Sequence, residues 1–88
     1  MYTVYMLLCR DHTLYTGITT DVNKRLVAHQ AGRASHYTRA HGALRIVYQE
    51  QQPSRSHALQ REAAIKRLSR RAKLILIAQQ SSDNTHDL

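Results

Sequence analysis

Apolar residues fall into short runs separated by polar breaks. Residues 2 to 8 (Tyr-Thr-Val-Tyr-Met-Leu-Leu) are β-branched and aromatic-rich and read as a strand. Cys9-Arg10-Asp11-His12 is a polar break of hairpin length, and residues 13 to 18 form a partner strand ending near Gly17. The two strands make an antiparallel hairpin. Thr19-Thr20-Asp21 offers N-cap side chains for a helix that runs to about Ala31 and stops at Gly32. A polar loop is expected over residues 33 to 43. Leu44 to Gln49, with Ile46, Val47 and Tyr48, is a third strand. Pro53 and Ser54 open a second helix from about Ser56 to Leu68, and Ser69 caps a third, Arg70 to Ala78. The run Leu74 to Ala78 is apolar nearly all round, which predicts burial. The order β-β-α-β-α-α describes an α+β domain, a small three-stranded, mostly antiparallel sheet flanked by helices. Residues 1 to 78 are expected to form this domain and residues 79 to 88 a polar, disordered tail.

Ionisable residues interrupt the faces that should turn inward. In the first helix the stripe facing the sheet is Val22, Arg25, Leu26 and His29, following the i, i+3, i+4, i+7 rule. In the second helix Glu62 has Ala58 and Leu59 one turn before it and Ile65 one turn after. Each has an ordinary explanation. Arg25 can run its stem to solvent, His29 can be a satisfied half-buried histidine, and Glu62 can pair with Lys66. Strand parity puts Tyr5 and Tyr15 on one face if the hairpin register agrees. The plain reading of these tyrosines is amphipathic core residues with wet tips. Taken together, the residues describe a shared polar cleft. The chain has five tyrosines and no phenylalanine or tryptophan, so all its aromatic bulk except histidine carries a hydroxyl.

Composition narrows the partner. Eighty-eight residues allow one domain with a thin core. Thirteen Lys and Arg against six Asp and Glu give a net charge of +7, which suits a polyanion, nucleic acid foremost. A membrane surface fits less well, because no helix combines a broad apolar face with Trp or Phe anchors. The single cysteine, Cys9, excludes an internal disulfide and reads as a small apolar residue at a strand end. No basic region precedes a long apolar segment, and the longest apolar stretch is too short to cross a bilayer. A soluble cytoplasmic protein is expected.

Thr3-Val4-Tyr5 and Tyr15-Thr16-Gly17, followed by Arg25, His29 and Glu62, resemble the ordered signature of the GIY-YIG nuclease superfamily. The likeness extends from Tyr2 to about Ala78 and is strongest to small stand-alone bacterial members. Leu14-Tyr15-Thr16-Gly17-Ile18, His36-Tyr37-Thr38-Arg39 and Arg61-Glu62-Ala63-Ala64-Ile65-Lys66 look typical of that group. The resemblance implies a small antiparallel sheet with helices and cleavage of phosphodiester bonds with one divalent metal ion. It implies Tyr5, Tyr15, Arg25, His29 and Glu62 as catalytic residues, with Glu62 the metal ligand. Val4 and Thr16 stand where the family name has isoleucines, and Thr3 where it has the first glycine. The asparagine found late in some relatives has no assigned match.

Hydrolysis needs an activated water, charge neutralisation at phosphorus and help for the leaving oxygen. Glu62 suits Mg²⁺ (or Mn²⁺), a hard cation that keeps most of its waters. Arg25 offers a planar fork to a phosphate oxygen. Tyr5 takes the proton from water; its phenol must be lowered by a nearby cation or hand its own proton to His29. Tyr15 positions the phosphate or the water. Arg33, Tyr37, Arg39, Lys66, Arg67 and Arg70 are expected to bind nucleic acid, Tyr37 by stacking on an unpaired base. The expected function is a metal-dependent endonuclease, DNA being favoured over RNA, structure-specific or acting on single strands, with a place in repair or recombination. The alternative is a catalytically inactive nucleic-acid-binding module.

Overall fold

The computed structural model describes the backbone of residues 1–86 and the side chains of residues 1–81. β1 (Tyr2–Cys9) lies between β2 (Leu14–Thr19) and β3 (Ala43–Gln52) in a three-stranded antiparallel sheet of order β2-β1-β3. As the middle strand it is covered on both faces, and Val4, Tyr5, Met6 and Leu7 are all buried. Side chains alternate across a strand, so these residues divide between two cores. Val4 and Met6 pack with Tyr48, Ala58 and Ile65. Tyr5 and Leu7 pack on the other side with Ala43, flanked by Tyr15, Val22, Leu26 and Ile46. The helices α1 (Val22–Gln30) and α3 (Arg55–Lys66) thus sit on opposite faces of the sheet. The register sets Tyr5 opposite Gly17 and Leu7 opposite Tyr15, so both tyrosines share the α1 face, as parity required.

Local chemistry accounts for the element starts. The Asp21 side chain accepts the Lys24 N–H at the start of α1, and Ser54 accepts that of His57 at the start of α3. Gly32, with φ 76°, follows α1 in the left-handed conformation that glycine adopts without penalty.

Three expectations are corrected. The loop over residues 33 to 43 contains a short helix, α2 (His36–His41), capped by the Ser35 side chain, so the order is β-β-α-α-β-α-α. Six residues are too few to carry an apolar stripe, and only the serine cap announces it. The last helix, α4 (Arg70–His86), continues past Ala78. Glutamines favour helix, and the Gln80 amide bonds both the Gln49 N–H (3.1 Å) and C=O (2.6 Å), holding α4 to the edge of β3. Residues 79–86 are therefore helical, while 87 and 88 lie outside the described residues. The run Leu74 to Ala78 is not buried all round. Leu76 and Ile77 reach the core, but Leu74 and Ile75 are 43% and 49% exposed, because α4 rests on the sheet with one face only.

Glu50 on β3 anchors α3. It accepts from Arg61 Nε on both oxygens (2.9 and 3.0 Å), from Tyr48 (2.6 Å) and from Gln52 (2.7 Å). Burial works to raise the Glu50 carboxyl, but these donors outweigh it and hold the group below the usual carboxylate range.

Candidate active site

The stripe on α1 brings Arg25 and His29 over Tyr5. Val22 and Leu26 pack against the Tyr5 core, His29 is 1% exposed, and Val27, off the stripe, is 58% exposed. His29 Nε2 lies 2.7 Å from the Tyr5 hydroxyl, and its Nδ1 lies 2.7 Å from Thr38 Oγ1. Burial, then the positive charge of Arg25, push His29 below its ordinary value, so the ring is neutral near pH 7. A phenol is the natural donor to Nε2, which leaves the ring proton on Nδ1, donated to Thr38. Thr38 Oγ1 then donates to Ser35 Oγ at 2.9 Å. The chain Tyr5–His29–Thr38–Ser35 satisfies each buried polar atom along it.

Tyr5 is pushed up to about 12, first by burial and then by the charges of Tyr15 and Glu62, against the hydrogen bonding and charge of Arg25. The expectation that a neighbouring cation lowers this phenol is therefore not met: burial outweighs the guanidinium. The other expected route, proton transfer to His29, has its hydrogen bond in place. These influences also locate the partners. Arg25 is near enough to Tyr5 to favour its ionisation, and Glu62 near enough to oppose it. Tyr5, Tyr15 and His29 are in direct contact, and Arg25 and Glu62 are near enough to act on the Tyr5 phenol. The Tyr15 ring centroid lies 6.4 Å from that of Tyr5 and 5.0 Å from that of His29.

Gly17 makes room for the arrangement. A Cβ there would lie 2.6 Å from the Tyr5 hydroxyl oxygen and 3.2 Å from the Tyr15 ring. The glycine lets one phenol lie across the neighbouring strand. Beside it, the Thr16 hydroxyl is buried with no hydrogen-bond partner among the described residues.

Glu62 is mostly buried at 19% side-chain exposure, and its Oε2 lies 3.5 Å from Lys66 Nζ, the expected i, i+4 pair. The lysine is 52% exposed, so the contact is weak. No group of three or more His, Cys, Asp or Glu side chains gathers among the described residues. A lone carboxylate suits a hard cation that retains its waters, and suits zinc poorly.

The expected nucleic-acid residues are dispersed. Arg33, Arg39, Lys66, Arg67 and Arg70 are all exposed. Arg33 and Arg39 line one recess of about 280 Å³ with Ser35 and His36. Lys66, Arg67 and Arg70 surround the junction of α3 and α4. Tyr37 is 37% exposed and belongs to the site's aromatic cluster, in ring contact with Tyr15 at 5.8 Å and stacked on His41 at 4.1 Å. Thr38 and Ser35 were not legible as site residues; the signal available was Ser35-x-x-Thr38, an N-cap spacing at the start of α2.

Residues 1–74 match the family model of the GIY-YIG catalytic domain. The chain is 45% identical over 80 residues to a UPF0213 protein of Streptococcus sanguinis, covering 91% of this chain and 92% of that one. It is 46% identical over 78 residues to a UPF0213 protein of Natronomonas pharaonis, covering 89% and 92%. A solution NMR structure of a UPF0213 protein from Bacillus halodurans shares the fold, with TM-score 0.57 and 41% identity over 90% of this chain and 85% of that one. A match over most of the length, carried by a sheet and site of this geometry, makes the chain a member of the GIY-YIG nuclease family.

Proposed function

We propose that this protein is an endonuclease that hydrolyses phosphodiester bonds in nucleic acid, DNA foremost, with a divalent metal. The observation that carries this reading is the Tyr5 hydroxyl hydrogen-bonded to a neutral His29, with the charge of Arg25 acting on both. GIY-YIG nucleases generally use divalent metals. Glu62 would hold the ion, Mg²⁺ or Mn²⁺, and when bound the ion supplies positive charge for the oxygens around phosphorus.

The protein's own residues supply the rest. Arg25 binds a non-bridging phosphate oxygen through its guanidinium fork. Tyr5 receives a proton from the attacking water on its phenolic oxygen while passing its own to His29 Nε2. No free phenolate forms, which matters for a phenol pushed up to about 12. His29 becomes an imidazolium whose Nδ1–H stays on Thr38. Before substrate arrives, Arg25 opposes that charge. A phosphate seated on Arg25 offsets part of the opposition, so proton transfer is favoured when substrate is in place. Tyr15 borders the same space and orients the phosphate or the water.

The test is incubation of the purified protein with labelled single-stranded, duplex and branched DNA, and RNA, with Mg²⁺ or Mn²⁺. We expect cleavage that is lost on chelation and in Glu62→Ala, and that falls roughly 10²- to 10⁴-fold in Tyr5→Phe. Full activity in Tyr5→Phe would remove Tyr5 from the mechanism. Tight binding by the wild-type protein without cleavage of any substrate would establish the inactive binding module instead.

A further inference from the structure

A cleft of about 390 Å³ beside α2 is lined by Arg10, Asp11, Arg39, Ala40, His41 and Gly42. We propose that it is a nucleotide subsite, taking a phosphate between Arg10 and Arg39 and an unpaired base on the His41 ring, next along the strand from the bond that is cut. The inference deepens the nuclease reading and rests on it.

Continuity with the candidate active site is the first argument. Tyr5, Tyr15, Tyr37 and His41 form an unbroken series of ring contacts, with successive centroids 6.4, 5.8 and 4.1 Å apart. A strand leaving the Tyr5–Arg25 centre along this series arrives at His41, the outermost ring. Tyr37 has ring contacts on two sides, to Tyr15 and to His41, whereas His41 has one and lines the cleft. Its side chain is 35% exposed, and Nδ1 is held by Asp11 Oδ2, which steadies the ring plane.

The charge balance is the second argument. Among the described residues neither Arg10 nor Arg39 is in an ion pair, whereas the cleft's one carboxylate, Asp11, is occupied by His41 and Thr13. Two uncommitted guanidiniums face one committed carboxylate, a balance that favours a phosphate. Arg10 is also placed. Its backbone N–H donates to the His41 and Gly42 carbonyls (3.2 and 2.8 Å), and its stem crosses Gly42, where a Cβ would meet Arg10 Cδ at 2.8 Å. A base can stack on a side-chain ring only when it has left its own stack. The subsite therefore selects single-stranded, flap or unpaired substrates over continuous duplex.

Anisotropy titrations without metal, using labelled single-stranded DNA with and without one abasic position, test this. Wild-type protein should prefer the base-bearing strand by roughly tenfold at the matching position. His41→Ala should lose that preference, and His41→Phe, which keeps a ring but not the Asp11 contact, should restore it. Arg10→Gln should weaken both strands alike and reduce the log–log salt slope by about 0.7. Preference persisting in His41→Ala, or an unchanged slope in Arg10→Gln, would overturn the subsite. If Arg25→Gln alone weakens binding, the subsite falls and the nuclease reading stands. If the wild-type protein binds no nucleic acid, both fall.

Discussion

His29 connects the reacting phenol to the fold. Its two ring nitrogens are both used, one by Tyr5 and the other by Thr38, at 2.7 Å each. Thr38→Val should leave the Nδ1–H without an acceptor and let the proton settle on Nε2, where the ring can no longer accept from Tyr5. A wrong tautomer is costly in other proton relays. We expect cleavage to drop roughly tenfold or more, with Thr38→Ser restoring it. The pH profile checks the assignment. His29 lies below its ordinary value because of burial and Arg25. Activity that needs the neutral ring should thus persist as pH falls below about 6.5 and decline only at the lower folded value. Stability follows the same sign: this contribution is complete above the unfolded value of about 6.5 and is lost as pH falls through the folded one. Sequence spacing placed His29 beside Arg25 on an inward stripe. It could not supply Thr38, which lies on a different helix and bonds it across nine residues.

At the scale of elements, the placement of α3 decides where Glu62 sits. Arg61, its neighbour in sequence, is tied to Glu50 on β3 through both carboxylate oxygens. Arg61→Met should cost about 1–2 kcal/mol in thermal or denaturant unfolding, a range that allows for the partial exposure of the pair. Glu50 is held below the usual range, so the pair's contribution is complete above about pH 4.3 and lost as pH falls through the folded value. Variant and wild type should therefore converge in stability toward acid pH, and a constant difference would assign the effect to packing alone. The starts of α1 and α3 could be read from Asp21 and Ser54 because a cap is a local hydrogen bond. The end and burial of α4 could not. Which of Leu74 to Ile77 is covered depends on where the helix lies against the sheet, and Gln80 meets β3 thirty-one residues away.

For the whole molecule, a net charge of +7 on 88 residues with a dispersed set of exposed arginines predicts binding led by phosphates. The affinity of wild-type protein for single-stranded DNA should fall linearly in log–log coordinates with added salt, by about 0.7 per phosphate contacted. A flat response would contradict phosphate-led recognition. No helix among the described residues is long and apolar enough to cross a membrane. Charge, strand parity, helix period and cap chemistry are properties of neighbouring residues, so the sequence by itself determined the sheet and the inward stripe on α1 that carries Arg25 and His29. Proton affinities and proximities between distant segments depend on what packs above each group. Only the tertiary structure decided that Tyr5 is raised instead of lowered, that its proton has His29 to go to, and that α2 places His41 and Arg39 beside Arg10.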